Sequence, residues 1–130
     1  MVELRLPPME TETNMQLNIV DYPQAVVISV QEARLDAHNS PELKIAILQQ
    51  FDADKTNLII DLNEVRFIDS SGLGVLVSGF KNASARNGVL LLCSMQPQVK
   101  SMFELTRLHR VFDIYATCDE ALISLKDVTP

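Results

Sequence analysis

The sequence predicts an α/β fold, a mostly parallel mixed β-sheet with an N-terminal antiparallel hairpin and about four helices in the order ββαβαβαβα. Three observations predict it. Short apolar runs rich in strand formers alternate with segments of helical periodicity. The helical segments open on capping residues or on Pro, as at Asn39-Ser40-Pro41, Pro97 and Thr117. The runs are joined by helical stretches of roughly 10–15 residues, the length that carries one parallel strand to the next.

Met15 to Asp21 alternates apolar and polar side chains, and Tyr22-Pro23 turns the chain into the β-branched run Val26 to Val30, so this pair reads as the hairpin. A helix is expected from about Ser40 to Phe51, with Leu43, Ala46, Ile47 and Phe51 at helical spacing. Asn57-Leu58-Ile59-Ile60-Asp61-Leu62 is too short for a helix and reads as a central strand. From Gly72, the residues Leu73, Leu76, Val77, Phe80 and Ala83 define a helix that should stop at Asn87-Gly88, with Gly supplying the left-handed terminating conformation. Val89 to Cys93 is a second buried strand. Pro97 starts a helix carrying Val99, Met102, Phe103 and Thr106 on one face. Phe112 to Tyr115 is a last short strand, and Thr117 with Glu120 forms a capping-box signature for a closing helix bearing Cys118, Ala121, Leu122 and Leu125.

With 130 residues, 47% of them hydrophobic, the chain holds one ordinary core and not two. The expected organisation is a flexible tail over 1–14, where Pro7-Pro8 precedes a polar stretch, one domain over 15–126, and a short tail over 127–130. No apolar run approaches the roughly 20 residues that span a bilayer, and Met1 to Asn14 lacks the pattern of a signal peptide, so a soluble cytoplasmic protein without membrane insertion is expected. A net charge of −6 and the lack of a basic stripe argue against nucleic acid. Cys93 and Cys118 lack the spacing of a zinc or redox motif and read as buried free thiols.

In sheets of this kind partner and ligand sites lie beyond the carboxyl ends of the strands, which points to the segment from Asn63 to Gly74. Ser70 and Ser71 stand where helix N-caps belong, and one of their hydroxyls is expected to accept a backbone hydrogen bond. The same helix terminus, with free amides and the positive end of the dipole, accommodates a phosphate. Gly72 and Gly74 are expected to lend flexibility and to leave room for a partner.

Common enzymatic patterns fail at this loop. Gly72-Leu73-Gly74 lacks the third glycine of a dinucleotide fingerprint, and no Gly-Lys-Ser/Thr triplet exists for a Walker A loop. Neither serine sits in a Gly-x-Ser-x-Gly elbow, and the histidines His38 and His109 read as structural rather than catalytic. Asp69 as the acceptor of a receiver domain would need further acidic residues for Mg²⁺ and a Lys at a late strand, which the hydrophobic strands do not supply. No catalytic residue, metal site or cofactor is therefore expected.

Asn57 to Leu62, followed by Phe67-Ile68-Asp69-Ser70-Ser71-Gly72-Leu73-Gly74-Val75-Leu76, closely resembles the signature of bacterial STAS domains of the anti-anti-sigma factor family. The similarity extends to Arg34-Leu35-Asp36, to Pro97, Val99, Lys100, Met102 and Phe103, and to Glu120-Ala121-Leu122, covering roughly residues 15 to 126. The resemblance implies a non-enzymatic anti-sigma factor antagonist whose partners are an anti-sigma factor serine kinase and a PP2C-type phosphatase. In that family the unmodified form captures the kinase, and phosphorylation ends capture. In that family the first serine after the Asp is the modified one, which here is Ser70, with Ser71 as the other candidate, and the resemblance places Asp36, Asp69, Ser70, Ser71, Gly72, Leu73 and Gly74 in the partner-facing set. An alternative within the fold is a subunit of a transport or sensory assembly that docks a protein through this loop without phosphorylation. A nucleotide-binding or catalytic variant is a third. Three positions depart from the family pattern, which often has Gly at Ala33, a capping Ser at Gln96 and Gly at Arg107.

Overall fold

The computed structural model describes residues 15–125, and the tails expected at 1–14 and 127–130 lie outside these described residues. Five strands form the main sheet: β1 (Leu17–Asp21), β2 (Val26–Val30), β4 (Asn57–Asp61), β6 (Val89–Cys93) and β7 (Ile114–Tyr115), in that spatial order. β1 pairs antiparallel with β2, and the remaining neighbours run parallel. Four helices complete the predicted α/β architecture: α1 (Ser40–Asp52), α2 (Ser70–Ala85), α3 (Pro97–Leu105) and α4 (Cys118–Ser124).

Two further strands, β3 (Arg34–Leu35) and β5 (Phe67–Ile68), pair in parallel as a separate two-stranded ribbon. They were not expected from the sequence, because a two-residue strand has no periodicity to detect and its partner lies more than 30 positions away.

The side-chain alternation of the strands sorts the core into two layers. Val26, Ile28, Val30, Leu58, Ile60, Leu90 and Leu92 face one side, where they meet Leu43, Ile47 and Phe51 of α1, Leu73, Leu76 and Ala83 of α2, and Val99 and Phe103 of α3. Val27, Ile59, Leu91 and Cys93 face the other, covered by Ala121 and Leu122 of α4. Because the strand order never reverses, successive right-handed crossovers place α1, α2 and α3 on the same face. Burial on both faces is why β4 and β6 read as unbroken apolar runs.

Several local expectations are corrected. Asn39 precedes α1 but does not cap it. Its Oδ1 accepts from the Asp36 amide at 3.0 Å and its Nδ2 donates to the Arg34 carbonyl at 2.9 Å, so it closes the loop ahead of the helix. At the end of α2 the left-handed residue is Asn87 (φ 63°) rather than Gly88. Gly88 is required instead by close approach, since a Cβ there would run into the Thr56 carbonyl oxygen. Cys93 and Cys118 are not free: a disulfide joins them, with Cα atoms 5.4 Å apart. They are 25 positions apart, and only the meeting of the end of β6 with the start of α4 brings them together.

The departures from the family pattern have structural consequences. Arg107 adopts φ 64°, a left-handed conformation that costs a side-chain-bearing residue about 1 kcal/mol. Gln96 gives α3 no side-chain cap, and its Nε2 donates to the Asn63 carbonyl at 2.6 Å, tying α3 to the segment after β4. The Thr117 hydroxyl does accept from the Glu120 amide at 3.1 Å, as the capping signature predicts.

The layered core predicts a sharp contrast in urea unfolding. Ile60→Ala, at a fully buried position, should cost about 2–5 kcal/mol. Ile45→Ala, on a residue of α1 that is 55% exposed, should stay within about 0.5 kcal/mol of the parent.

Candidate functional site

The candidate site is assembled by Asp69, the residue between β5 and α2. The N-cap of α2 is Asp69 and not a serine: its Oδ1 accepts from the Gly72 amide at 3.0 Å. Asp69 has the extended backbone typical of an N-cap, and its carboxylate also suits the positive end of the helix dipole. Its second oxygen, Oδ2, accepts from the Ala37 amide at 3.1 Å, and its own amide donates to the Leu35 carbonyl at 3.2 Å. One carboxylate therefore joins the start of α2 to the loop between β3 and α1.

That loop is a second ordered unit. Asp36 Oδ1 accepts from the His38 amide at 3.0 Å and Oδ2 pairs with Arg34 Nε at 3.3 Å. The Arg34 guanidinium also lies 4.3 Å from the centre of the Phe67 ring, linking β3 to β5 by a cation–π contact. The carbonyl of Ala33 accepts from the amides of Arg66 and Phe67 at 2.7 and 3.1 Å. Desolvation pushes the Asp36 carboxyl upward, but hydrogen bonds from the His38 amide, the Arg34 side chain and the Asn39 amide, with the charge of Arg34, outweigh it and hold the group below its ordinary value.

Ser70 is the first residue of α2 and is exposed. Ser71 follows, half-buried. As N1 and N2 residues their amides have no partner four residues back, so the hydroxyl of Ser70 projects from a helix terminus with unused donors. Gly72 and Leu73, placed in the partner-facing set on sequence grounds, are buried and support the surface from beneath. Gly72 does not confer flexibility. A Cβ on it would lie 2.6 Å from the Leu35 carbonyl oxygen and 2.9 Å from Ile68 Cγ2, so only Gly lets α2 seat against β3 and β5. Gly74 is the opposite case: exposed, with nothing within 4 Å of an added Cβ.

The outward set is therefore Ser70, Gly74 and the accessible parts of Asp36, Asp69 and Ser71. Sequence reasoning missed the Ala37 amide and the Arg34–Phe67 pair. A backbone donor leaves no trace in residue identity, whereas Arg34 and Phe67 are visible residues whose contact depends on the unrecognised β3–β5 pairing. His38 is exposed in the adjoining loop, and His109 Nδ1 lies 3.3 Å from the Phe103 carbonyl oxygen. Among the described residues, the cluster of potential metal ligands, Asp61, Cys93 and Cys118, belongs to the opposite face of the sheet.

The STAS domain family matches residues 16–121. The anti-sigma-B factor antagonist of Listeria monocytogenes is 35% identical over 80 residues, which cover 62% of this chain and 70% of that protein. An anti-sigma factor antagonist from Mycobacterium paratuberculosis superposes with a TM-score of 0.78 at 27% identity, over 88% of this chain and 97% of that one. The Bacillus cell-fate determinant SpoIIAA in its phosphorylated form superposes with a TM-score of 0.67 at 26% identity, over 86% and 99% of the two chains.

Two predictions test this construction. Gly74→Ala should gain up to about 1 kcal/mol through helix propensity, and Gly72→Ala should lose roughly 1–3 kcal/mol through overpacking, both by urea titration. The lowered Asp36 pKa gives stability that is complete above the unfolded-state value near ~3.9 and lost as pH falls through the folded value. Asp36→Asn should therefore be less stable than the parent at neutral pH, and the two should converge as the pH drops below about 4.

Proposed function

We propose that this chain, which belongs to the STAS domain family, acts as an anti-sigma factor antagonist switched by phosphorylation of Ser70. In its unmodified form it captures a serine kinase that also restrains a sigma factor. Transfer of the γ-phosphoryl group of ATP to the Ser70 hydroxyl ends capture, and a PP2C-type phosphatase restores it. The protein works as a cytoplasmic binding module and not as an enzyme.

The observation that carries this reading is the exposed Ser70 hydroxyl at the first position of α2, beside neighbours that are locked in place. Asp69 is held by two hydrogen bonds and Gly72 by close packing, so the serine is presented on a rigid platform while remaining free to react.

The electrostatics favour a switch that acts at the interface. Phosphoserine adds about −1.5 to −2 charges. At ~6 Å in water, two such charges and the Asp69 carboxylate repel by on the order of 1.4 kcal/mol. The helix terminus returns about 0.3–1 kcal/mol and at most ~2. Within the domain these nearly cancel, so the fold persists. At a docked surface the same charge is stripped of water against the partner, where an uncompensated ion costs several kcal/mol.

Incubation with ATP and the cognate anti-sigma kinase, followed by intact-mass measurement, should show one phosphate on the parent and on Ser71→Ala and none on Ser70→Ala. Ser70→Asp should weaken kinase capture by at least about tenfold, or ~1.4 kcal/mol. A phosphate that survives Ser70→Ala but not Ser71→Ala moves the site by one residue. Absence of both phosphate and complex sinks the reading.

A further inference from the structure

Cys93 and Cys118 occupy dissimilar settings. Cys93 is the last residue of β6 and fully buried, while Cys118 is the first residue of α4 and half-buried. Their disulfide, with Cα atoms 5.4 Å apart, fits the backbone separation that such a bond prefers. Among the described residues it also lies on the more thinly covered face of the sheet. One face of the sheet carries three helices, but the face built from Val27, Ile59 and Leu91 is covered by α4, which has seven residues and two fully inserted side chains, Ala121 and Leu122. A helix of that length has no stability of its own and persists through its attachments. The disulfide fastens its first residue to the central part of the sheet, beside Asp61 at the end of β4.

We propose that Cys93 and Cys118 form a reversible thiol–disulfide site, with a low-molecular-weight disulfide as oxidant, whose closure latches α4 over this face of the sheet. The more accessible Cys118, as its thiolate, attacks the small disulfide RSSR and expels RS⁻. The Cys93 thiolate then attacks the Cys118 sulfur and expels the second RS⁻. Two S–H bonds are lost from the protein, one S–S bond forms, and the two protons leave with the reduced carrier as two RSH. Excess thiol reverses both steps. The buried Cys93 sits at the resolving position, shielded by α4 from further oxidation.

The test uses the full chain in buffers of varied oxidised-to-reduced glutathione ratio. Intact mass and peptide mapping read the cross-link, and hydrogen exchange reads α4 and α2. Closure should rise with the ratio, lose two hydrogens, link the peptides holding Cys93 and Cys118, and reverse with dithiothreitol. The amides of α4 should exchange about tenfold or more slowly in the closed form while those of α2 stay unchanged, as for a local opening. Cys118→Ser, at a half-exposed position, should show the fast α4 exchange in every buffer. The proposal is overturned by thiols or glutathione adducts that never close, by closure without a change in α4, or by a reduced form in which α2 loses protection together with α4. Uptake of one equivalent of Zn²⁺ by a reduced chain that never closes would make the pair a metal site with Asp61 and likewise overturn it.

Discussion

The geometry of the loop depends on the Asp69 carboxylate. A single anionic side chain satisfies two backbone donors that belong to different parts of the chain, the amide of Gly72 in α2 and the amide of Ala37 ahead of α1. Hydrogen bonds to a charged acceptor are among the stronger ones available. The Asp69 amide adds a third tie, to the Leu35 carbonyl, and the absence of a side chain at Gly72 lets the two segments touch. The small β3–β5 ribbon, the ordered Asp36 loop and the start of α2 all meet at that junction. Glu at position 69 would have the same charge but a longer reach, and could not keep both bonds without moving one segment.

Much of the fold was legible because the central strands announce themselves. β4 and β6 are apolar runs of the right length, and α1 to α4 each carry either periodicity or a starting signal. For the candidate site, the residues themselves were legible and the contacts that hold them together were not. Asp69, Ser70 and Ser71 are all acceptable N-cap residues, and sequence cannot choose among three consecutive candidates when the deciding factor is a second donor, from Ala37, more than 30 residues away. Gly72 and Gly74 look equivalent on paper, yet one is demanded by the Leu35 carbonyl and the other by nothing in the fold. The cysteine pair was hidden for the same reason: the pairing is a property of tertiary structure.

The strand order also bears on the recognition proposed for this loop. Open parallel sheets bind small ligands where the strand order reverses and adjacent crossovers part to leave a crevice. The order β1-β2-β4-β6-β7 contains no reversal among the described strands. What stands beyond β5 is the Asp69 junction, with the exposed Ser70 next to it at the start of α2.

The monotonic strand order has a consequence for biogenesis. Each strand after the hairpin adds to an edge that the preceding chain has already made, so no later segment must insert between two strands already paired. A polypeptide of this design can zip up in the direction in which the ribosome delivers it, with the N-terminal hairpin as template and each βα unit sealing the one before. Among the described elements β7 and α4 follow all the others along the chain, and the junction at Asp69 draws on β3, β5 and the start of α2, all of which precede them.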